Sequence, residues 1–189
     1  MRKSILFILA FLFLGSLSNE TFADSVVAPY SYKMAVGDGK YIFIMLADKQ
    51  YDNKLLVSSK GKEYPFSGLY RNDGSIIPIW TVDWYAYRVY ISLDGSHLVR
   101  MGGPPILQNY DKPDLKQLAI AFYLNGELTK EYLISDLIKY PERLHKSIFH
   151  FEWRLNVLFD DKLGQLTIDT YDGQQYVFDV KSGEVITKR

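Results

Sequence analysis

Seven dipeptides ending in glycine punctuate the chain after its first 23 residues: Asp38-Gly39, Lys60-Gly61, Asp73-Gly74, Asp94-Gly95, Asn125-Gly126, Asp172-Gly173 and Ser182-Gly183. Each places a residue free to adopt positive φ where a tight reversal requires one. The stretches between them are rich in Tyr, Val, Ile, Phe and Trp, side chains that fit a pleated surface. Helix signal between them is scarce. The expected fold class is all-β: an antiparallel hairpin meander, either irregular and propeller-blade-like or a sandwich, with at most one or two short helical turns.

Hydrophobic alternation sets an expected register for two of these hairpins. Around Asp172-Gly173, a three-residue loop with a glycine bulge pairs Thr170 with Gln174. Leu166, Ile168, Tyr176, Phe178 and Val180 then share one face, whereas a one-residue slip scatters them. The same loop at Asp94-Gly95 gathers Tyr87, Val89, Ile91, Val99 and Met101. Alternation from Tyr85 turns Arg88 and Tyr90 outward. Helix signal is confined to Ser135, read as the cap of a turn running through Asp136 to Lys139 and stopping before Pro141. The stretch 101–113, with its paired glycines and prolines, reads as one long loop.

Residues 91–99, with Ser92, Asp94, Gly95 and Leu98 in the order Ser-x-Asp-Gly-x-x-Leu, resemble the recurring hairpin of bacterial β-propeller blades. Residues 36–42, centred on Asp38-Gly39, resemble a second copy. The resemblance implies blade-like hairpins that present binding surfaces. Fold alone does not fix function.

The N-terminus carries a different message. Arg2 and Lys3 precede ten unbroken apolar residues from Ile5 to Leu14, and Thr21-Phe22-Ala23 follows a polar stretch. This is the grammar of a secretory signal over residues 1–23, cut after Ala23. A membrane span needs about 20 apolar residues, so a ten-residue core is too short. The expectation is a secreted or periplasmic protein, residues 24–189 forming a single antiparallel β domain with no span of its own. Removal of Arg2, Lys3 and Glu20 tips a formally neutral chain slightly acidic, which argues against nucleic acid as a partner. With no cysteine, disulfides, thiolate metal sites and cysteine nucleophiles are all excluded.

Catalytic motifs are absent: there is no Gly-x-Ser-x-Gly elbow, His-Glu-x-x-His, phosphate loop or dinucleotide fingerprint. Asp169 and Asp172 are three apart, so the alternate-acid spacing of a calcium loop fails and Asp172 reads as a turn residue. His97 reads as a hydrogen-bonded histidine at a hairpin end. His145 and His150 are five apart and would need a turn between them to share a metal. No cofactor and no metal site are expected. The segment 147–153 is denser in chemistry: extended, it puts His150 and Glu152 on one face and Phe149, Phe151 and Trp153 on the other. A histidine beside a carboxylate is an acid–base pair in the making, so these two are the catalytic candidates. Aromatic density over residues 79–90 nominates Trp84, Arg88 and Tyr90, with Trp153, as binding residues. The leading expectation is a non-catalytic binding module for a protein or cell-envelope glycan. The alternatives are a hydrolase or metal-assisted enzyme using His150 and Glu152, and a structural subunit of an envelope assembly.

Overall fold

A computed structural model describes residues 27–103, 112–147 and 150–189. The signal-like segment, Phe149 and most of the Gly/Pro loop lie outside these residues. The described chain is all-β, with 46% strand in four antiparallel sheets and no closed barrel. The first sheet is a meander of β1 (Tyr32–Val36), β2 (Tyr41–Met45), β3 (Gly68–Arg71) and β4 (Pro78–Thr81). A second meander follows with β5 (Val89–Ile91), β6 (His97–Met101), β7 (Leu118–Leu124) and β8 (Glu127–Leu133). A third contains β11 (Arg154–Asp160), β12 (Gln165–Thr170), β13 (Gln175–Asp179) and β14 (Val185–Lys188). Between the second and third, β9 (His145–Lys146) and β10 (Phe151–Glu152) pair as a small hairpin.

All seven glycine dipeptides fall at chain reversals, six between strands of the meanders and Lys60-Gly61 beside the Val57–Glu63 bridge. The chemistry is clearest at Asn125-Gly126, where both residues have positive φ, 51° and 86°. That is the primed turn whose twist matches the strands it joins, and asparagine is the non-glycine residue best suited to its first position. An added Cβ at Gly126 would lie 2.5 Å from the Thr81 carbonyl oxygen, so this turn also packs against the end of the first sheet.

The middle sheet organises the core. On β6, Leu98 faces a cluster shared with Phe43, Leu69 and Trp80 of the first sheet, while Val99 and Met101 face one shared with Leu166, Ile168 and Phe178 of the third. On β7, Ala121 and Tyr123 point one way, Ile120 and Phe122 the other. Both strands are therefore apolar on both faces, the pattern of a strand covered on each side. A third, smaller cluster of Ile44, Leu56, Tyr64 and Tyr70 caps the outer face of the first sheet. Its Tyr70 hydroxyl donates to the Phe66 carbonyl at 2.7 Å, satisfying a buried polar group.

The β12–β13 hairpin adopts the expected register: Thr170 N–H donates to Gln174 O at 2.9 Å, Ile168 faces Tyr176 and Leu166 faces Phe178. The β5–β6 hairpin does not. Ile91 pairs with Leu98 and Val89 with Arg100, one residue away from the expected alignment. Val89 and Ile91 consequently join the cluster with the first sheet, and Val99 and Met101 join the other. Alternation misleads here because both faces are buried, so a slip exposes nothing apolar.

The helical turn also starts elsewhere. The helix α1 spans Ile134–Leu137, with Leu133 at the cap position and its N–H donating to the Asp136 carboxylate at 2.7 Å. Ser135 lies inside it rather than capping it, because Ile134 and Leu137 must both reach the core. Pro141 opens a following 3-10 turn, Pro141–Arg143, instead of merely ending the helix. Asp172, at the β12–β13 turn, is almost fully buried, and its carboxylate accepts from the Lys139 and Tyr140 N–H groups at 2.7 and 3.1 Å. It is a turn residue that also ties the helical connection to the third sheet. No helix among the described residues is long and apolar enough to cross a membrane.

Two adjacent glycines at the end of β6 should respond oppositely to substitution. At Gly102, whose N–H donates to Ala119 O at 2.8 Å, a Cβ would fall 1.8 Å from the Leu118 carbonyl oxygen. At Gly103 a Cβ meets nothing within 4 Å. Gly102→Ala should destabilise the fold by about 3 kcal/mol or more, the upper range for forced overpacking, and Gly103→Ala should leave it nearly unchanged. Paired denaturant titrations would measure both.

Candidate functional site

One cleft collects chemistry from three parts of the fold. It has a volume of about 500 Å³ and opens where β5 begins, β6 ends, β7 begins and β11 begins. Ala86, Met101 and Leu118 give it apolar walls, Tyr85 and Tyr87 stand on the side of the first sheet, and His150, Glu152 and Arg154 close the side of the third. Its size and mixed lining are those of small-ligand sites.

The tyrosine side is tied to the chain's first described residues. Tyr87 donates its hydroxyl to the Val27 carbonyl at 2.6 Å, and Tyr85 both donates to Tyr30 O and accepts from Tyr30 N–H, each at 3.1 Å. Tyr30, Tyr32, Tyr85 and Tyr87 form a chain of rings with centroids 5.1 to 6.4 Å apart. Tyr32 donates to Ala86 O at 2.9 Å. Burial pushes its phenol well above the ordinary range, and the neighbouring Tyr85 and Tyr30 push it the same way. The hydroxyls of Tyr32, Tyr85 and Tyr87 act as braces that hold the rim in shape.

Three arginines line the cleft. Arg88 is exposed, in the connection just before β5. Arg100 lies on β6 with its guanidinium 4.5 Å from the Trp84 ring centroid and one N–H directed at Tyr85 O at 3.3 Å. Arg154 opens β11 and donates to Gly102 O at 2.9 Å. Burial lowers the Arg154 pKa; Glu152 opposes that shift and Arg88 adds to it by like-charge repulsion.

His150 and Glu152 do come together as expected, His150 Nε2 standing 2.7 Å from Glu152 Oε1. Phe151 and Trp153 point into the core from the opposite face. Behind His150, its Nδ1 lies 3.1 Å from Ser147 Oγ, which also accepts the His150 backbone N–H at 3.1 Å. Ser147 N–H donates to His150 O at 2.8 Å, so these contacts fold the tip of the β9–β10 hairpin. Ser147 is not among the cleft-lining residues. His145 is exposed, pairs with Glu152 across the hairpin and stacks on Tyr171. Among the described residues, no three His, Asp or Glu side chains converge as a metal would require.

The other nominated binding residues sit differently from expectation. Arg88 lines the cleft. Tyr90, expected to face outward, is half-buried and stacks on Phe159 with ring centroids 5.4 Å apart, because its side of β5 packs against the cluster shared with the third sheet. Trp84 is half-buried between Arg100 and Tyr123. Trp153 is fully buried, and its indole N–H finds no partner, so it is a core residue that cannot meet a ligand. His97 is half-buried and hydrogen-bonded, its Nδ1 2.7 Å from Ser96 Oγ. Sequence reasoning missed Arg100, Arg154 and Tyr85. The available signal was an arginine set directly against apolar residues, in Val99-Arg100-Met101 and Trp153-Arg154-Leu155. Comparison of the chain with protein-family models and with curated proteins returns no match.

The turn beside His97 makes a pH prediction. Burial raises the Asp94 carboxyl, but hydrogen bonds from the Ser92 hydroxyl and from the Ser96 N–H and hydroxyl outweigh it and hold the group at about 2. An unfolded aspartate titrates near about 4, so this turn contributes stability in full above that pH and loses it as pH falls towards 2. Asp94→Asn should lower the melting temperature at neutral pH and flatten its decline between about pH 4 and pH 2. Melting curves of both proteins across that range would test it.

Proposed function

We propose that the chain is an exported, non-catalytic binding protein that holds a cell-envelope glycan, or a segment of a protein partner, in the cleft at the end of the middle sheet. The observation carrying this reading is the cleft itself: about 500 Å³, walled by apolar residues and rimmed by tyrosines whose hydroxyls are already braced. A site formed before its ligand arrives loses little entropy on binding. Export rests on the signal-like grammar of residues 1–23. The three four-stranded meanders suit the blade-like reading of residues 91–99, since successive stacked sheets leave strand-end clefts between them.

Gly103 provides a clean test. It lines the cleft and has open space where a side chain would go, so Gly103→Leu should fill the site without disturbing the fold. A ligand present at 100 times its dissociation constant should stabilise the parent protein by about 2.7 kcal/mol. Thermal unfolding against a panel of cell-wall oligosaccharides and envelope peptides should show that shift in the parent and none in Gly103→Leu. A shift of equal size in both would place binding elsewhere.

A second reading, a hydrolase or other enzyme, draws on the His150–Glu152 pair, which faces the cleft at hydrogen-bond distance. A carboxylate that fixes an imidazole is the ordinary arrangement of a general base. Under this reading His150→Ala abolishes turnover of a cleft-bound substrate, and Glu152→Gln lowers it severely. Under the binding reading both variants retain ligand with a modest change in affinity and no turnover exists to lose. Product analysis after prolonged incubation with the ligand that shifts the melting curve separates the two.

A further inference from the structure

We propose that the cleft selects an acidic sugar, one bearing a carboxylate or phosphate, and that Arg88, Arg100 and Arg154 hold its oxyanion. The proposal rests on the reading of the cleft as a ligand site and names the chemistry of that ligand. Its first support is a charge imbalance. Three guanidinium groups line one concave space, and none of them forms an ion pair with another described residue. Among the described residues Glu152 is the one carboxylate lining the cleft, and its Oε1 is engaged by His150 at 2.7 Å. Like charges gathered in a partly desolvated cleft repel one another, and Arg154 already carries that cost from burial and from Arg88. An anion seated among them would relieve it.

The donors are also set in position. A guanidinium carries five N–H groups in a rigid plane. Arg100 commits one to Tyr85 O and Arg154 one to Gly102 O, contacts that orient each fork and leave further donors for a ligand. The Arg100 guanidinium also lies over the Trp84 ring, 4.5 Å from its centroid. Planar forks of this kind match carboxylate and phosphate oxygens in pairs, whereas a neutral hydroxyl uses a single donor and leaves the charge uncompensated.

Size and walls favour a sugar over a protein partner. A protein–protein interface of ordinary size covers about 800 Å² of each partner, most of it outside any single cavity. This cleft encloses a volume suited to one or two sugar rings, with Tyr85 and Tyr87 offering amphipathic ring surface beside the arginines.

The test is isothermal titration of the protein with digalacturonate, with neutral digalactose and with hexaglutamate, supplemented by glucose 6-phosphate and glucose. Digalacturonate should bind at least tenfold more tightly than digalactose, and its affinity should fall as salt is raised. Preference for glucose 6-phosphate over glucose would extend the site to phosphates, and indifference between those two would confine it to carboxylates; both agree with an acidic sugar. Arg88 is exposed and makes no structural contact of the kind that Arg100 and Arg154 make, so Arg88→Gln should fold normally and lose most of the acidic preference. Arg88→Lys should recover part of it. Equal binding of digalacturonate and digalactose would overturn the proposal while leaving a ligand-binding cleft. Tighter binding of hexaglutamate would replace the sugar with an acidic peptide. If no sugar binds and Gly103→Leu changes nothing, the cleft reading falls together with the proposal.

Discussion

The structure depends on one sheet being apolar on both of its faces. Leu98 and Val99 are neighbours on β6, both completely buried, and they belong to different clusters. Ile120, Ala121 and Phe122 repeat the arrangement on β7. The sheet thus lends one hydrophobic surface to each neighbour, and neither neighbour has an equivalent second core of that size. Burying a large apolar side chain contributes about 1.5–3 kcal/mol, so a strand that buries successive residues does the stabilising work of two half-buried ones. The first sheet has only the small outer cluster of Ile44, Leu56, Tyr64 and Tyr70 on its far side, and the third needs only one apolar face. That is why β12 and β13 alternate strictly between buried and half-exposed residues while β7 is buried almost throughout.

That asymmetry explains what could be read from the sequence. Reversals were legible because a glycine at positive φ is a local requirement, met by residues adjacent in the chain. The β12–β13 register was legible because one apolar face against one polar face makes a slip costly, and Leu166, Ile168, Tyr176 and Phe178 announce which face is inside. Around Asp94-Gly95 the same reasoning fails. Tyr90 and Val99 carry large hydrophobic surface as Val89 and Ile91 do, so alternation carries no sign there and the chain settles one residue away. Tyr90 could be read as outward only by assuming that its strand had an outside. Trp153 misleads for a related reason: an aromatic next to His150 and Glu152 resembles a site, but period-two alternation sends it into the core.

The cleft follows from the same stacking. The middle sheet lies against its neighbours through apolar side chains, but at the end of β6 Arg100 and Gly102 flank the buried Met101 and open onto the cleft. A guanidinium can lay its stem along apolar surface and keep its head near water, which makes arginine suited to the border between packed sheet and solvent. Arg100 and Arg154 occupy such borders on successive sheets, and Arg88 approaches from the connection into β5. No spacing along the chain links positions 88, 100 and 154. Only the stacking brings them together, so a reading confined to one strand at a time could nominate Arg88 and not its companions. The acidic partner His150 needs was visible from sequence, because residues two apart on a strand share a face.

Ser147, His150 and Glu152 repeat, over six residues, the polar order of a nucleophile, a base and its orienting carboxylate. The distances of 3.1 and 2.7 Å fall within hydrogen-bond range. What separates this row from a serine triad is where its first member points. Ser147 Oγ is turned onto the hairpin, accepting the His150 backbone N–H while it contacts the ring, and the cleft is lined by His150 and Glu152 but not by Ser147 itself. A nucleophile must reach a carbonyl or glycosidic centre held in the cavity, with oxyanion donors near the same point. A serine spent on closing a turn lacks that freedom. The same three contacts make good structural sense as they stand: the serine fixes the turn, the turn fixes the imidazole, and the imidazole holds Glu152 against the cleft wall. One carboxylate is thereby kept from pairing with the arginines, which leaves their charge directed at whatever enters.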